Sequence, residues 1–432
     1  MNSESESNFL EKTEFKTLYK DLPETGTYTS EFAAKTADPD FQKIFHPHFK
    51  RIKLINCHNL KEEEDNNSKR PTYVPKLFAR KDFSGPVALD LAHKGKKVAV
   101  LIFADSTNVG GIYITGYSPA NTQEEQTVLM APEIYGYLGN NYGVHDIGGN
   151  GDGCYLKNQK RYCLNKDDYE NPDIINPAYG YILTNLLITH NVKHSMIKLP
   201  EKEVVEVSYA FLSMPSFATS VSRDPIGAML IGNSGEKDGE KIYENIKNAS
   251  NSLYQDETVK KYSYDYEMTQ NLGKLAIFYS IEKLEQFSKK YLGEERSVSD
   301  ILSLVIKADI LFKHSKEEKE LKELILKDFK SFKKDVKKIM EEADMNYREC
   351  VLRKFTNLIK GTEKAGADTL VLGKIGCGAF LNDENVVSEL MGKAIATSKY
   401  IEEIYFAGLD EEDPFFKSVK KAMKSKKKII NI

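Results

Sequence analysis

The sequence of 432 residues predicts an α/β protein, and three observations carry that prediction. Short β-branched apolar runs bounded by turn residues recur along the chain, amphipathic helical patterns alternate with them, and a hydrophobic content of 41% is enough to bury a sizeable core. The 61 basic and 64 acidic residues leave a net charge of -3, so no overall field favours nucleic acid or an anionic membrane, and a partner must be argued from a site. Five cysteines, Cys57, Cys154, Cys163, Cys350 and Cys377, are scattered without a C-x-x-C pair. That pattern argues against a disulfide framework or a structural zinc and fits a reducing compartment. No run reaches the roughly 18 apolar residues of a membrane helix, and MNSESESNFLEKTEF lacks the apolar stretch of a signal peptide. Neither a membrane span nor Sec export is expected; the cytoplasm, or a host cytoplasm for an injected effector, is.

Taken in order, residues 1–85 read as a polar, irregular extension, with KEEEDNNSKR (61–70) a solvated loop. From Val87 the texture turns apolar: VALDLA and then KKVAVLIFAD (96–105) give the pattern of a buried strand. Further buried strands are expected at 179–189, 204–214, 368–373 and 401–408. Between 235 and 345 the chain becomes charged and helical. Ile277, Ile281, Leu284, Phe287 and Tyr291 recur at helical spacing, as do Leu321, Ile325, Phe329, Phe332, Val336 and Ile339. Ser297, three residues before Asp300, is expected to cap a helix. The chain therefore divides into an extension (1–85), a first part of the α/β domain (86–234), a helical insertion (235–345) and a second part (346–432).

Two stretches carry chemistry. KIGCGAFLNDENVVSELMGKAI (374–395) follows a strand and sets Gly376 and Gly378 around Cys377, then Phe380, then a helix with acids in its first turn. Glycines there let main-chain amides approach an anion at a helix start, and Phe380 can stack on a flat ring; a tight turn without ligand has the same local pattern. The second is ADSTNVGGIYITGYSPANTQEEQTVL (104–129), a glycine pair and a turn-rich run that close on Glu124 and Glu125. Neighbouring acids suit glycosidic cleavage, which passes through an oxocarbenium-like state needing a proton donor on the leaving atom and negative charge near the ring. They divide those tasks if burial and mutual repulsion keep one protonated near neutral pH. A solvated helix start would also favour acids, through the helix dipole.

In combination, FADSTNVGG, QEEQTVLMAPEIYG (123–136) and GKIGCGAFLNDENVVSEL resemble, in chain order, the poly(ADP-ribose) glycohydrolase branch of the macrodomain superfamily. The motifs cover about 50 residues and the implied domain spans about 85 to 425. The resemblance implies a macrodomain, a three-layer α/β/α sandwich with a mixed central sheet, here with an N-terminal extension and a helical insertion. It implies Glu125 as the general acid on the departing oxygen and Glu124 as the holder of the ribose hydroxyls. Gly110 and Gly111 would bring backbone to the distal ribose and diphosphate. Gly376, Cys377, Gly378, Ala379 and Phe380 would wrap the diphosphate from the opposite side, and Asp105 and Gln123 complete the ligand-binding set. No cofactor and no metal is implied.

This chain departs from the family in three places. Asp105 stands where the family has Asn, and an ionised carboxylate accepts but does not donate hydrogen bonds. Val109 replaces the first glycine of a triplet, and 11 residues separate Gly111 from Gln123, more than the family spacing. The helical insertion exceeds the family fold and offers a docking surface for a protein. The expected function is ADP-ribosyl glycohydrolysis on poly(ADP-ribose) or on an ADP-ribosylated protein, with ubiquitin, the substrate of some bacterial effector macrodomains, among the candidates. The alternative is a reader that binds ADP-ribose without cleaving it. The loop YGVHDIGGNGDGCY (142–155) has calcium-like spacing but no closing acid, and Cys377 has no companion histidine motif, so a flexible loop and a small turn residue are expected. Tyr113, Tyr117, Tyr135 and Tyr137 flank the acids and suit either adenine stacking or packing.

Overall fold

The structure, a computed structural model, describes residues 16, 18–20, 22, 25–26, 43–57, 60, 72–104, 123–138, 180–192, 196–217, 239–262, 265–293, 296–314, 319–325, 328–378 and 380–425. Among these, the strands in chain order are β1 (Thr25–Gly26), β2 (Lys53–Asn56), β3 (Lys76–Arg80), β4 (Val98–Phe103), β5 (Tyr181–Ile188), β6 (His190–Val192), β7 (Met196–Lys198), β8 (Val205–Leu212), β9 (Thr369–Leu372) and β10 (Glu403–Ala407). Seven of them form one sheet in the order β2-β5-β8-β4-β9-β10-β3; β1, β7 and β6 form a small second one. In the main sheet β8, β4, β9, β10 and β3 run parallel, while β2 and β5 are antiparallel to their neighbours. The sheet is mixed, as expected.

Alternation along the strands explains why it is covered on both sides. Val98, Val100 and Ile102 of β4 join one buried cluster and Ala99 and Leu101 the other, because successive side chains of a strand point to opposite faces. The first cluster is completed by α1 (Ser84–His93), α2 (Gln123–Met130) and α3 (Glu133–Leu138). The second is completed by the helices that follow β8: α4 (Gly239–Gln255), α5 (Glu257–Tyr262), α6 (Asp265–Phe278), α7 (Ile281–Leu292), α8 (Val298–His314), α9 (Lys319–Leu324) and α10 (Phe329–Lys364). On the same side lie α11 (Glu384–Ile395) and α12 (Pro414–Lys424). The result is the three-layer α/β/α arrangement.

Several expectations change in detail. VALDLA belongs to helix α1, with Val87, Ala88, Leu89 and Leu91 buried; the strand begins only at Val98. The span 1–85 contributes β2 and β3, the two edges of the main sheet. Both are short and lysine-bearing, the usual way of blunting an edge, and so read as loop in the sequence. The two helical spacings are each broken once. Ser280 caps α7 through the Lys283 amide (3.4 Å), and Asp328 caps α10 through the amides of Lys330 (3.0 Å) and Ser331 (3.3 Å). Ser297 does cap α8, accepting from the Asp300 amide at 3.2 Å. A division at 345 falls inside α10, a continuous helix of 36 residues.

A buried polar group lies under α3. Glu133, 1% exposed, pairs with Arg51 and accepts from the main-chain amide of Leu187, so the Pro132-Glu133 turn pins α3 to β5. Burial pushes the Glu206 carboxyl above its ordinary range; Arg51 opposes the shift and Glu133 reinforces it. Beside them the Tyr209 hydroxyl is buried and has no hydrogen-bond partner among the described residues. A buried hydroxyl without a partner contributes only its desolvation cost. Tyr209→Phe is therefore expected to leave stability unchanged or raise it by about 1 kcal/mol. A fall in the thermal unfolding midpoint would contradict this.

Candidate active site

Parallel strands β4, β9 and β10 lie side by side, so the segments leaving their C-terminal ends meet at one end of the sheet, where open α/β sheets usually place their ligands. The approach is close. A Cβ added at Gly373, the residue after β9, would lie 2.7 Å from the Phe103 ring at the end of β4. Gln123, the first residue of α2, fastens that helix to the same place. Its Oε1 accepts from the Phe103 amide (2.9 Å), and its Nε2 donates to the Leu101 carbonyl (2.8 Å) and to Ser84 Oγ (2.9 Å). Gln123 thus spends its amide on the protein itself, continuing the edge of β4.

That fastening sets the position of the next two residues. Glu124 and Glu125 are 3% and 4% exposed, in the first turn of a helix whose residues after the half-buried Gln123 are all buried. They are not a solvated helix start. Neighbouring positions on a helix point about 100° apart, so the two carboxylates address different surroundings. A cavity of about 300 Å³ opens beside the start of α2. Its walls include Phe83, Phe103, Leu372 and Leu409, with Gln123 on one side and Gly373 and Lys374 on the other. The beginning of the acidic helix and the beginning of the glycine loop therefore face one cavity.

The loop after β9 is built for main-chain exposure. Gly376 has φ +71°, and a Cβ there would lie 2.7 Å from Met214 and 3.0 Å from Asn382, so only glycine fits. Asn382, fully buried, organises the turn. Its Nδ2 donates to the carbonyls of Pro215 (2.8 Å), Gly376 (3.0 Å) and Phe380 (3.4 Å), and its Oδ1 accepts from the Tyr347 hydroxyl (2.8 Å). Phe380 is half-buried against the helical-side core, and its carbonyl also accepts from the Phe217 amide at 3.0 Å. The main-chain amides of Gly376, Gly378 and Phe380 donate to no acceptor among the described residues. Gly378 is exposed, with open space where a Cβ would stand. Immediately beyond, Asp383 caps α11 through the Asn385 amide (2.8 Å).

Charge around the loop is balanced locally. Lys374 bridges Glu384 (3.0 Å) and Asp413 (3.2 Å); burial disfavours its charge, but those two carboxylates outweigh it and raise the ammonium above its usual range. Burial, reinforced by Glu384, pushes the Cys377 thiol up to about 12, so at neutral pH it is a thiol and not a nucleophile. Among the described residues no group of acids, histidines and cysteines is arranged to hold a metal, and no helix is long and apolar enough to cross a membrane.

The chain is similar to bacterial poly(ADP-ribose) glycohydrolases. The structure from Thermomonospora curvata shares 11% identity at a TM-score of 0.39, covering 91% of this chain and 88% of that one. A mutant of the same protein shares 12% at 0.41, covering 91% and 98%. The Deinococcus radiodurans protein in complex with ADP-ribose shares 13% at 0.35, covering 82% and 86%. No protein-family profile and no curated protein matches. A likeness at this level assigns no residue its role.

Of the site residues expected from sequence, Gln123, Glu124, Glu125, Gly376, Cys377, Gly378 and Phe380 are gathered at this end of the sheet. Asp105, Gly110, Gly111 and Ala379, with Tyr113, Tyr117 and the 142–155 loop, lie outside the described residues. Tyr135 is 1% exposed in the core, and Tyr137 stands edge-on to Phe49 with centroids 5.4 Å apart. Sequence reasoning missed Asn382 and Tyr347. The only local hint is that Asn382 stands between a glycine turn and a helix cap, and nothing in the sequence links it to a tyrosine 35 residues earlier.

Proposed function

We propose that the protein is an ADP-ribosyl glycohydrolase that releases ADP-ribose from poly(ADP-ribose) or from an ADP-ribosylated protein, ubiquitin among the candidates. Glu125 protonates the oxygen leaving the anomeric carbon, Glu124 holds the ribose hydroxyls, and water completes the hydrolysis. The amides of the 376–380 loop cradle the diphosphate. An apolar slot walled by Phe83, Phe103, Leu372 and Leu409 suits the adenine ring. Asp105, Gly110 and Gly111 are assigned to the distal ribose, and no metal takes part.

One observation supports this reading above the rest: the cavity is lined by Gln123 on one side and by Gly373 and Lys374 on the other, the residues that lead directly into two buried adjacent carboxylates and into a loop whose amides at Gly376, Gly378 and Phe380 have no acceptor among the described residues. Buried carboxylates serve proton transfer, and clustered amides at a positive-φ turn next to a helix start serve a phosphate.

The direct test incubates the protein with poly(ADP-ribose) and with proteins ADP-ribosylated on arginine, on acidic residues or, for ubiquitin, as the modified protein, and measures freed ADP-ribose by mass. Release from at least one linkage is expected. Binding of ADP-ribose with no release from any linkage would make the protein a reader; no binding at all would remove both readings.

A further inference from the structure

The proposed site leaves one strongly charged surface unused. Helix α10 runs along the sheet and past its loop end. Gly361 packs on Cys57 and Ile182, Lys354 Nζ donates to the Ser213 carbonyl just beyond β8, and Tyr347 reaches Asn382 in the glycine loop. The first turns of the helix therefore stand beyond the loop, on the same end of the molecule as the cavity. There Lys330, Lys333, Lys334, Lys337 and Lys338 are all exposed. At about 100° per residue they occupy an arc of about 140°, opposite the buried Phe332, Val336 and Ile339.

Helix stability does not explain the arrangement. Three of the i,i+4 pairs, 330 with 334, 333 with 337 and 334 with 338, set lysine beside lysine, which weakens a helix. Lys330 lies in the first turn, where the helix dipole disfavours a cation. Acids lie at the margins of the face: Asp335 pairs with Lys290 at 2.7 Å and also attracts Lys338, the capping Asp328 attracts Lys330, and Glu341 lies 3.6 Å from Lys337, while Lys333 rests over the Phe312 ring. The result is a straight row of positive charge about 6 Å apart along the axis.

We propose that this face binds the polymer chain of poly(ADP-ribose) beyond the unit held in the cavity. The proposal rests on the ADP-ribose reading of the site and selects the polymer among its substrates. Every repeat of that polymer carries a diphosphate, ammonium groups bind phosphate as point charges, and a linear row of them complements a linear polyanion. The row faces roughly a third of a turn away from Tyr347, so the chain passes alongside the cavity and not into it.

The test uses the full chain and a K330E/K334E/K338E variant, whose positions are exposed and touch none of the site residues. Affinity for poly(ADP-ribose) of defined length is measured by fluorescence anisotropy at two salt concentrations, beside free ADP-ribose and an RNA of equal length. Release of ADP-ribose from the polymer and from a mono-ADP-ribosylated peptide is followed in parallel. The variant is expected to lose at least about tenfold in polymer affinity and to show a shallower salt dependence, with free ADP-ribose binding and mono-ADP-ribosyl release unchanged. Equal polymer affinity in the two proteins overturns the proposal. So does RNA bound as tightly as the polymer and lost in parallel, which marks a general nucleic-acid surface. A protein that releases nothing from any substrate removes the hydrolase reading, while the polymer-affinity comparison still decides the lysine face by itself.

Discussion

Glu125→Gln is expected to lower the rate of ADP-ribose release by about 10²- to 10⁴-fold, the usual contribution of a positioned general acid. Glutamine keeps the shape and hydrogen-bonding reach of glutamate but has no proton to give to a departing oxygen. Because Glu125 is buried on a helix that Gln123 fastens to β4, the amide should sit in the place of the carboxyl without rearranging α2. Affinity for ADP-ribose should stay within about tenfold, about 1.4 kcal/mol, so the loss lies in turnover and not in binding. Glu124→Gln should differ in kind, weakening binding along with the rate, since its proposed work is on the ribose hydroxyls. Single-turnover rates together with calorimetric affinities check both variants, and a Glu125→Gln protein of undiminished rate would move the acid elsewhere.

Asn382→Ala carries the second large effect, on binding and stability at once. The side chain serves three carbonyls and a tyrosine hydroxyl in a fully buried position, and alanine would leave those groups without it. The Gly376 and Phe380 carbonyls keep the main-chain amides of residue 382 and Phe217, so the Pro215 carbonyl and the Tyr347 hydroxyl are the groups stripped; at about 1–3 kcal/mol each, partly recovered if water enters, a total of roughly 2–5 kcal/mol is expected. The turn at Gly376 would no longer be held against Met214 and Pro215, and ADP-ribose affinity should fall at least about tenfold, about 1.4 kcal/mol. Tyr347→Phe removes one of the four bonds and should show a smaller change in the same direction. Thermal unfolding and calorimetry with ADP-ribose measure the two effects separately. A stable Asn382→Ala protein with unaltered affinity would mean that the loop holds its shape without this side chain.

The central strands were legible in the sequence because burial on both faces leaves continuous apolar runs, as in VAVLIF, YILTNLLI and VEVSYAFL. The edges were not. KLIN and KLFAR are four and five residues long and begin with lysine, so they carry neither the length nor the pattern of a strand. VALDLA is a short apolar run whose periodicity cannot separate strand from buried helix, and it proved to be helix. At the site, the Gln-Glu-Glu and Gly-Cys-Gly-Ala-Phe stretches were legible as local motifs. What escaped were roles decided by distant partners. Gln123 binds the strand 20 residues before it, Glu133 meets Arg51 82 residues away, and Asn382 depends on Tyr347.

The helical block also holds the glycine loop directly: Tyr347 of α10 bonds Asn382, and Gln270 of α6 donates to the Leu381 carbonyl at 2.7 Å. The neighbouring strands β4 and β9, whose ends bear the two halves of the cavity, are meanwhile far apart in the chain; Lys97 and Asp368 at their starts bond across 271 residues. Closing so long a loop costs entropy that is repaid only once the strands pair, which slows folding. A nascent chain can therefore complete this end of the sheet only after the whole intervening segment has been synthesised. Activity should thus be among the last properties to return on refolding, after most helical signal has recovered.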